Sequence, residues 1–182
     1  IICLGYAGRW HPQKNYEFFF ECLSELKNKF NYDKFKVLMA GNSMNKNNSV
    51  LVKLIEKNGL TENIYLLNEL EDMVKFYNSV DLNVLTSSYG EAFPNVIAEA
   101  MSCETPCLST EIGDVRKIIG EFGWTIKQND KEKFCKNIIE VFNYKNNSKN
   151  EWIKLKQNCR SKIMSNYSQH KMIQNYNKLF NY

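Results

Sequence analysis

Asp81-Leu82-Asn83-Val84-Leu85, followed after a short loop by Gly90-Glu91-Ala92-Phe93-Pro94-Asn95-Val96-Ile97-Ala98-Glu99-Ala100-Met101, is the stretch of the 182-residue chain that decides the fold. Its first part is an apolar run of strand length. Its second part opens a helix, with Pro94 where a first helical turn tolerates proline. A helix start after a buried strand presents unpaired N–H groups and a partial positive charge, which makes it a natural seat for phosphate. Glu91 and Glu99 bracket that seat, so the expected ligand carries hydroxyls as well as phosphate, as a ribose or a sugar does. The spacing of the two acids says little by itself, because Glu17/Glu25 and Glu132/Glu140 repeat it inside ordinary amphipathic helices. Two solvated helix glutamates are the plain alternative. The order of strand, glycine-containing loop and proline is what sets this pair apart.

The alternation extends in both directions. Ile1–Ala7 is a short apolar run, and Tyr16–Phe30 places Phe19, Leu23, Leu26 and Phe30 at helical spacing. Phe35–Gly41 reads as a second strand, Val50–Lys57 as a helix stopped by Gly59, Ile64–Leu67 as a third strand and Met73–Tyr77 as a short helix. The deciding strand, Leu82–Thr86, and helix, Pro94–Ser102, come next. Strand Pro106–Thr110, helix Val115–Ile119, strand Trp124–Ile126, helix Lys131–Phe142 and two closing helices complete the chain. The asparagine-rich segments Asn42–Asn48 and Asn143–Asn150 read as loops. Near-continuous apolar strands alternating with helices argue for a parallel sheet covered on both faces. The expected fold is therefore α/β: a doubly wound, six-stranded parallel sheet of order 3-2-1-4-5-6, Rossmann-like, with a helical C-terminus.

In that order strands 1 and 4 are neighbours and the winding reverses between them, so ligands are expected at their carboxyl ends. The loop after strand 1 carries Gly8, Arg9, His11 and Lys14; the loop after strand 4 carries Glu91. Topology thus sets Arg9 and Lys14 opposite the helix start at Phe93–Asn95, a clamp suited to a diphosphate. Gly5-x2-Gly8 lacks the third glycine of the dinucleotide fingerprint, and the Gly-x4-Gly-Lys-Ser/Thr pattern is absent. No Asp-x-Asp pair offers itself to Mg²⁺, so cationic side chains are expected to neutralise the phosphates and no metal or other cofactor is expected.

Bulk properties narrow the classes further. With 43% hydrophobic and 24% charged residues, the chain has the composition of a globular protein that buries a real core. No apolar run approaches the roughly 20 residues needed to span a bilayer. The chain begins inside a strand without a cleavable signal pattern, so it reads as one domain, residues 1–182, of something longer. Of the six cysteines none forms a CxxC pair, and buried free thiols in a reducing compartment are expected; Cys103-x3-Cys107 has only His11 and His170 to complete a metal site. The Asn-x-Ser triplets at Asn47, Asn146 and Asn166 mean little without a secretory context. From Glu151 onward six basic residues face one acid, while the rest of the chain nets −1. That tail could touch an anionic membrane, although a solvated helix face explains it as well. No RRM, KH or zinc-finger pattern supports nucleic-acid binding.

Taken together, Gly8-Arg9…Lys14-Asn15, Leu38-Met39-Ala40-Gly41-Asn42, Asn63-Ile64-Tyr65-Leu66-Leu67, Ser87…Glu91-Ala92-Phe93-Pro94-Asn95-Val96…Glu99-Ala100-Met101 and Thr105-Pro106…Gly113-Asp114-Val115 resemble the C-terminal, nucleotide-sugar-binding domain of retaining GT-B glycosyltransferases of the family-four type, the glycosyl transferases group 1. The resemblance covers roughly Tyr6 to Ile126. It implies a glycosyltransferase that moves a sugar from a UDP-, GDP- or ADP-sugar to an acceptor hydroxyl with retention, without metal. It implies that Arg9 and Lys14 bind the diphosphate and steady the charge of the leaving nucleotide, and that Glu91 serves the transferred sugar. The amides of Phe93, Asn95 and Val96 would grip phosphate and sugar, Glu99 the ribose, and Leu67 and Asn68 would lie near the base; Gly8 and Pro94 complete the donor-binding set. Glu104 and Asn68 stand where the family commonly has glycine, and Glu111 where it has aspartate. The resemblance further implies an N-terminal acceptor domain outside this chain, without which transfer is expected to fail. The frequent asparagines and lysines suit an AT-rich bacterial genome, hence the expectation of surface polysaccharide or glycolipid assembly, in the cytoplasm or peripheral to the inner face of the membrane. Two rivals remain: a nucleotide-binding subunit that docks on a separate acceptor-domain partner, and a GT-B-like nucleotide-sugar epimerase.

Overall fold

The computed structural model describes residues 1–180. Six strands, β1 (Ile2–Ala7), β2 (Phe35–Ala40), β3 (Ile64–Leu66), β4 (Leu82–Leu85), β5 (Cys107–Thr110) and β6 (Trp124–Ile126), form one sheet. Its order is β3-β2-β1-β4-β5-β6 and every pairing is parallel. The expected order is the observed one.

Strand side chains alternate between two apolar layers, as a sheet buried on both faces requires. Leu4, Tyr6, Val37, Met39, Val84 and Leu108 pack with α1 (Tyr16–Asn28), α2 (Ser49–Lys57) and α6 (Lys131–Asn147). Ala7, Ala40, Leu85 and Cys107 pack with α3 (Met73–Asn78), α4 (Asn95–Ser102), α5 (Val115–Ile119) and α7 (Lys149–Tyr167). The last helix, α8 (Gln169–Phe180), buries none of its residues.

Two sequence expectations need correcting. Asn143–Asn150 is not a loop: α6 runs on through Asn147, and α7 starts at Lys149 after a break at Ser148. Tertiary anchors override the poor helix propensity of asparagine here. Phe142 meets Tyr32 edge-on at 5.3 Å, Tyr144 meets Trp152 at 6.0 Å, and the Lys145 ammonium lies 2.7 Å from Asp81. Second, α4 starts one residue later than expected, and Pro94 is its N-cap rather than its first residue. Asn42–Asn48 is irregular, as expected.

Six non-glycine residues among those described adopt left-handed φ, and two of them stand where the resemblance led glycine to be expected. Asn68 and Glu104 both adopt left-handed φ, 59° and 60°. Asparagine tolerates that region through its short polar side chain; glutamate does not.

Candidate functional site

The carboxyl ends of β1 and β4 open onto the site, and the loops there are held by buried polar contacts. Fully buried Tyr6 donates its hydroxyl hydrogen to the Lys14 carbonyl at 2.7 Å, and Thr86 Oγ1 donates to the same oxygen at 2.9 Å. Burial pushes the Tyr6 phenol well above its ordinary pKa, so it stays a donor at any physiological pH. The Lys14 main chain is therefore fixed from below while its ammonium reaches across to Glu91 Oε1 at 2.7 Å. Ser87 Oγ donates to the same carboxylate oxygen at 2.8 Å. The two charged side chains are only 12% and 11% exposed, so this is a nearly buried pair rather than a surface contact. The expectation set Lys14 opposite the α4 start; the structure adds that its ammonium is engaged with Glu91.

The Glu91 loop is clamped from its other side. The N–H of Asp114 donates to the Ala92 carbonyl at 2.9 Å, and Gly113, with φ 51°, lies so close that a β-carbon there would fall 2.1 Å from the Glu91 carbonyl oxygen. Only glycine fits.

Arg9 lies elsewhere. It is exposed, forms no ion pair among the described residues, and lines a cleft of about 420 Å³ with Gly8, Asn42, Tyr77, Val96 and Glu99. Gly41 supplies the close approach of two loops beneath it: its φ is 141°, and a β-carbon would sit 2.3 Å from the Gly8 carbonyl oxygen. Above the cleft stands the N-terminus of α4. Pro94 gives no side-chain cap and its carbonyl takes the Ile97 N–H at 3.0 Å, so the amides of Asn95 and Val96 have no intramolecular acceptor among the described residues. Phe93 is exposed, packs its ring against Tyr167 at 5.3 Å, and with Asn95 and Glu99 lines a second, adjoining cleft. Glu99 Oε2 accepts from the Tyr77 hydroxyl at 2.9 Å, which fixes the carboxylate at the meeting of the two clefts.

Leu67 and Asn68 sit at the β3 side of the same rim. The Asn68 N–H goes to the Met44 carbonyl and its own carbonyl receives the Gly41 N–H, both at 2.8 Å, so its main chain builds the loop. His11, in the loop after β1, is half-buried and caps the 3₁₀ turn Pro12–Lys14, its Nδ1 accepting from the Gln13 N–H at 3.3 Å. Among the described residues no three His, Cys, Asp or Glu side chains gather as a metal site. Nor is any helix long and apolar enough to cross a membrane.

This ordered set of loops has a match in known sequences: the profile of the glycosyl transferases group 1 matches residues 2–143. The chain belongs to the glycosyl transferases group 1 family. Similar curated proteins are an uncharacterised glycosyltransferase of Methanocaldococcus jannaschii, 32% identical over 104 residues (57% of this chain, 24% of that protein), and a D-inositol 3-phosphate glycosyltransferase of Mycobacterium, 29% identical over 115 residues (60% and 25%). Among solved structures, a glycosyltransferase from Rickettsia africae superposes over all of this chain and 49% of its own length, with a TM-score of 0.84 at 24% identity. The Anabaena protein HepE, solved in complex with UDP, gives 0.83 at 16% identity over 98% of this chain and 48% of its own. The chain thus spans about a quarter of the curated relatives it matches and about half of the solved ones. The all-parallel sheet with its helical C-terminus is the Rossmann-like domain of the GT-B fold.

Within this group 1 chain the structure adds residues that sequence reading did not single out. Tyr77 reads as a core aromatic of a short helix, and nothing in a 22-residue separation announces its bond to Glu99. Ser87 and Gly113 belong to quoted motifs, but their grip on the Glu91 side chain and loop is visible only in three dimensions.

Proposed function

We propose that this chain is the donor-binding half of a retaining glycosyltransferase that takes a sugar from a nucleotide diphosphate sugar to an acceptor hydroxyl. The observation that carries the reading is the cleft at the β1/β4 switch point, where Arg9 and the uncapped α4 start stand beside a Glu99 oriented by Tyr77. A diphosphate placed there would be met by the guanidinium and the open amides of Asn95 and Val96, with Glu99 in reach of ribose hydroxyls. Lys14 and Glu91 would part on donor entry, Lys14 turning to the phosphate and Glu91 to the hydroxyls of the transferred sugar. The leaving phosphate would then help deprotonate the acceptor hydroxyl as it attacks on the same face. The Anabaena relative held with UDP supports the ligand class. The acceptor site belongs to an N-terminal domain, so the isolated chain binds donor and transfers little, in the cytoplasm or against the inner membrane face.

Isothermal titration of the folded chain with UDP, GDP, ADP and their glucose conjugates tests this. Saturable binding of one nucleotide family is expected; no heat with any of them, from a chain shown by circular dichroism to be folded, rejects it.

A further inference from the structure

A second large groove lies away from the lining of this site. It is a groove of about 810 Å³ between the amino end of β6, the C-terminal half of α6 and the start of α7. All six strands run parallel, so the groove opens at the opposite end of the sheet from the donor cleft. We infer that this groove is a second binding site, for a neutral saccharide.

Three features select that chemistry. Trp124 lines the groove, and its indole N–H donates to Glu140 Oε1 at 3.0 Å, which pins the ring in one orientation. A fixed aromatic face, negative over the ring, attracts the polarised C–H face of a pyranose. Next, Lys136, Glu140, Asn143 and Asn147 recur at intervals of four, three and four along α6, and so share one helix face toward the groove. The amides of Asn143 and Asn147 take part in no side-chain hydrogen bond among the described residues, whereas the neighbouring Asn146 is bound to the Phe142 carbonyl. Each free amide offers two donors and an acceptor, the complement of a sugar's vicinal hydroxyls. Finally, the lining carries Glu121 and Glu140 against Lys136, and Lys136 is itself paired with Glu132 at 2.5 Å. That excess of negative charge disfavours phosphate or carboxylate ligands, and the two carboxylates can accept from the hydroxyls of an uncharged one. The volume lies within the about 300–1,000 Å³ typical of small-ligand sites.

The inference rests on the proposed glycosyltransferase reading only for the reason a saccharide is at hand; the groove's chemistry stands apart from it. Its position would let the chain hold a glycan while the donor cleft is occupied.

The test titrates the 182-residue chain with maltoheptaose, cellopentaose, chitotetraose and mannopentaose, following tryptophan fluorescence and heat, with UDP as a separate titrant. Saturable binding of at least one oligosaccharide is expected, weakened fivefold or more in N143A/N147A with UDP binding unchanged. Trp124→Ala should abolish it; because that change touches the sheet edge, the exposed asparagine pair keeps the test sound if Trp124→Ala fails to fold. No saturable signal from the four sugars in a chain shown by circular dichroism to be folded overturns the inference, whether or not UDP binds, as does binding indifferent to the asparagine pair. So does a dimer, seen by light scattering, that disappears in N143A/N147A. Saccharide binding without nucleotide binding would keep this groove and remove the donor reading.

Discussion

Lys14 and Glu91 form the contact on which the site's resting state turns. Each is nearly buried, and each has the other as its ion partner at 2.7 Å. Removing one charge leaves its partner desolvated, which costs more than removing both. Lys14→Met should therefore lower unfolding free energy by about 1–3 kcal/mol, and adding Glu91→Gln should restore part of it. A urea double-mutant cycle with additive losses would show that the pair is uncoupled. Tyr77 makes a second residue-scale case. Tyr77→Phe removes only the hydroxyl that orients Glu99, a loss of about 0.5–1.5 kcal/mol. UDP affinity should drop roughly three- to tenfold by that measure. Affinity for 2′,3′-dideoxy-UDP should stay as in the parent, since the effect runs through the ribose hydroxyls. Glu104 carries strain of a different kind. Its φ of 60° costs a non-glycine residue about 1–2 kcal/mol, offset in part by the greater unfolded freedom of glycine. Glu104→Gly should raise the urea midpoint by the equivalent of up to about 1 kcal/mol.

At the level of elements, the Glu91 loop is held between β4 and the turn before α5. Gly113→Ala would drive a methyl into the Glu91 and Ala92 carbonyls. It should cost about 1–3 kcal/mol and displace the loop, with sugar-dependent donor affinity falling more than UDP affinity. Equal loss of both would mean that the loop serves only the phosphate. The same scale shows what was legible from sequence. The strands were readable because each is a short apolar run between punctuating residues, and their order followed from the alternation with helices. The α4 start was readable from Pro94, to within one residue. The α6 extension was not, because Asn143–Asn150 has the composition of a loop. What holds it helical is a set of distant partners, Tyr32, Asp81 and Trp152, that no local pattern names. For the same reason, chemistry-bearing residue types such as Arg9, Lys14, Glu91 and Glu99 could be picked out by position. Their actual partners could not.

For the whole molecule, burial of thiols sets a pH limit. Cys22, Cys107, Cys135 and Cys159 are buried and free, and desolvation raises all four, Cys135 and Cys159 to about 12. An acid whose folded pKa lies above its unfolded value contributes its full stability below the unfolded value, near 8.5 for cysteine. That contribution is lost as pH rises, because the unfolded chain sheds protons that the folded chain keeps. The urea midpoint should thus be flat between pH 7 and 8 and fall steadily from about pH 8.5 to 10.5. Substituting the four cysteines by alanine or valine should flatten that slope; an unchanged slope would show that these buried thiols do not set it. The Lys14–Glu91 contact carries a last consequence, for turnover. If a bare nucleotide diphosphate draws Lys14 to its phosphates, Glu91 is left without a counter-charge; a full donor fills the vacancy with sugar hydroxyls, whereas the spent nucleotide cannot. Re-forming the pair would then help expel product, so the empty site would act as its own competitor against product inhibition.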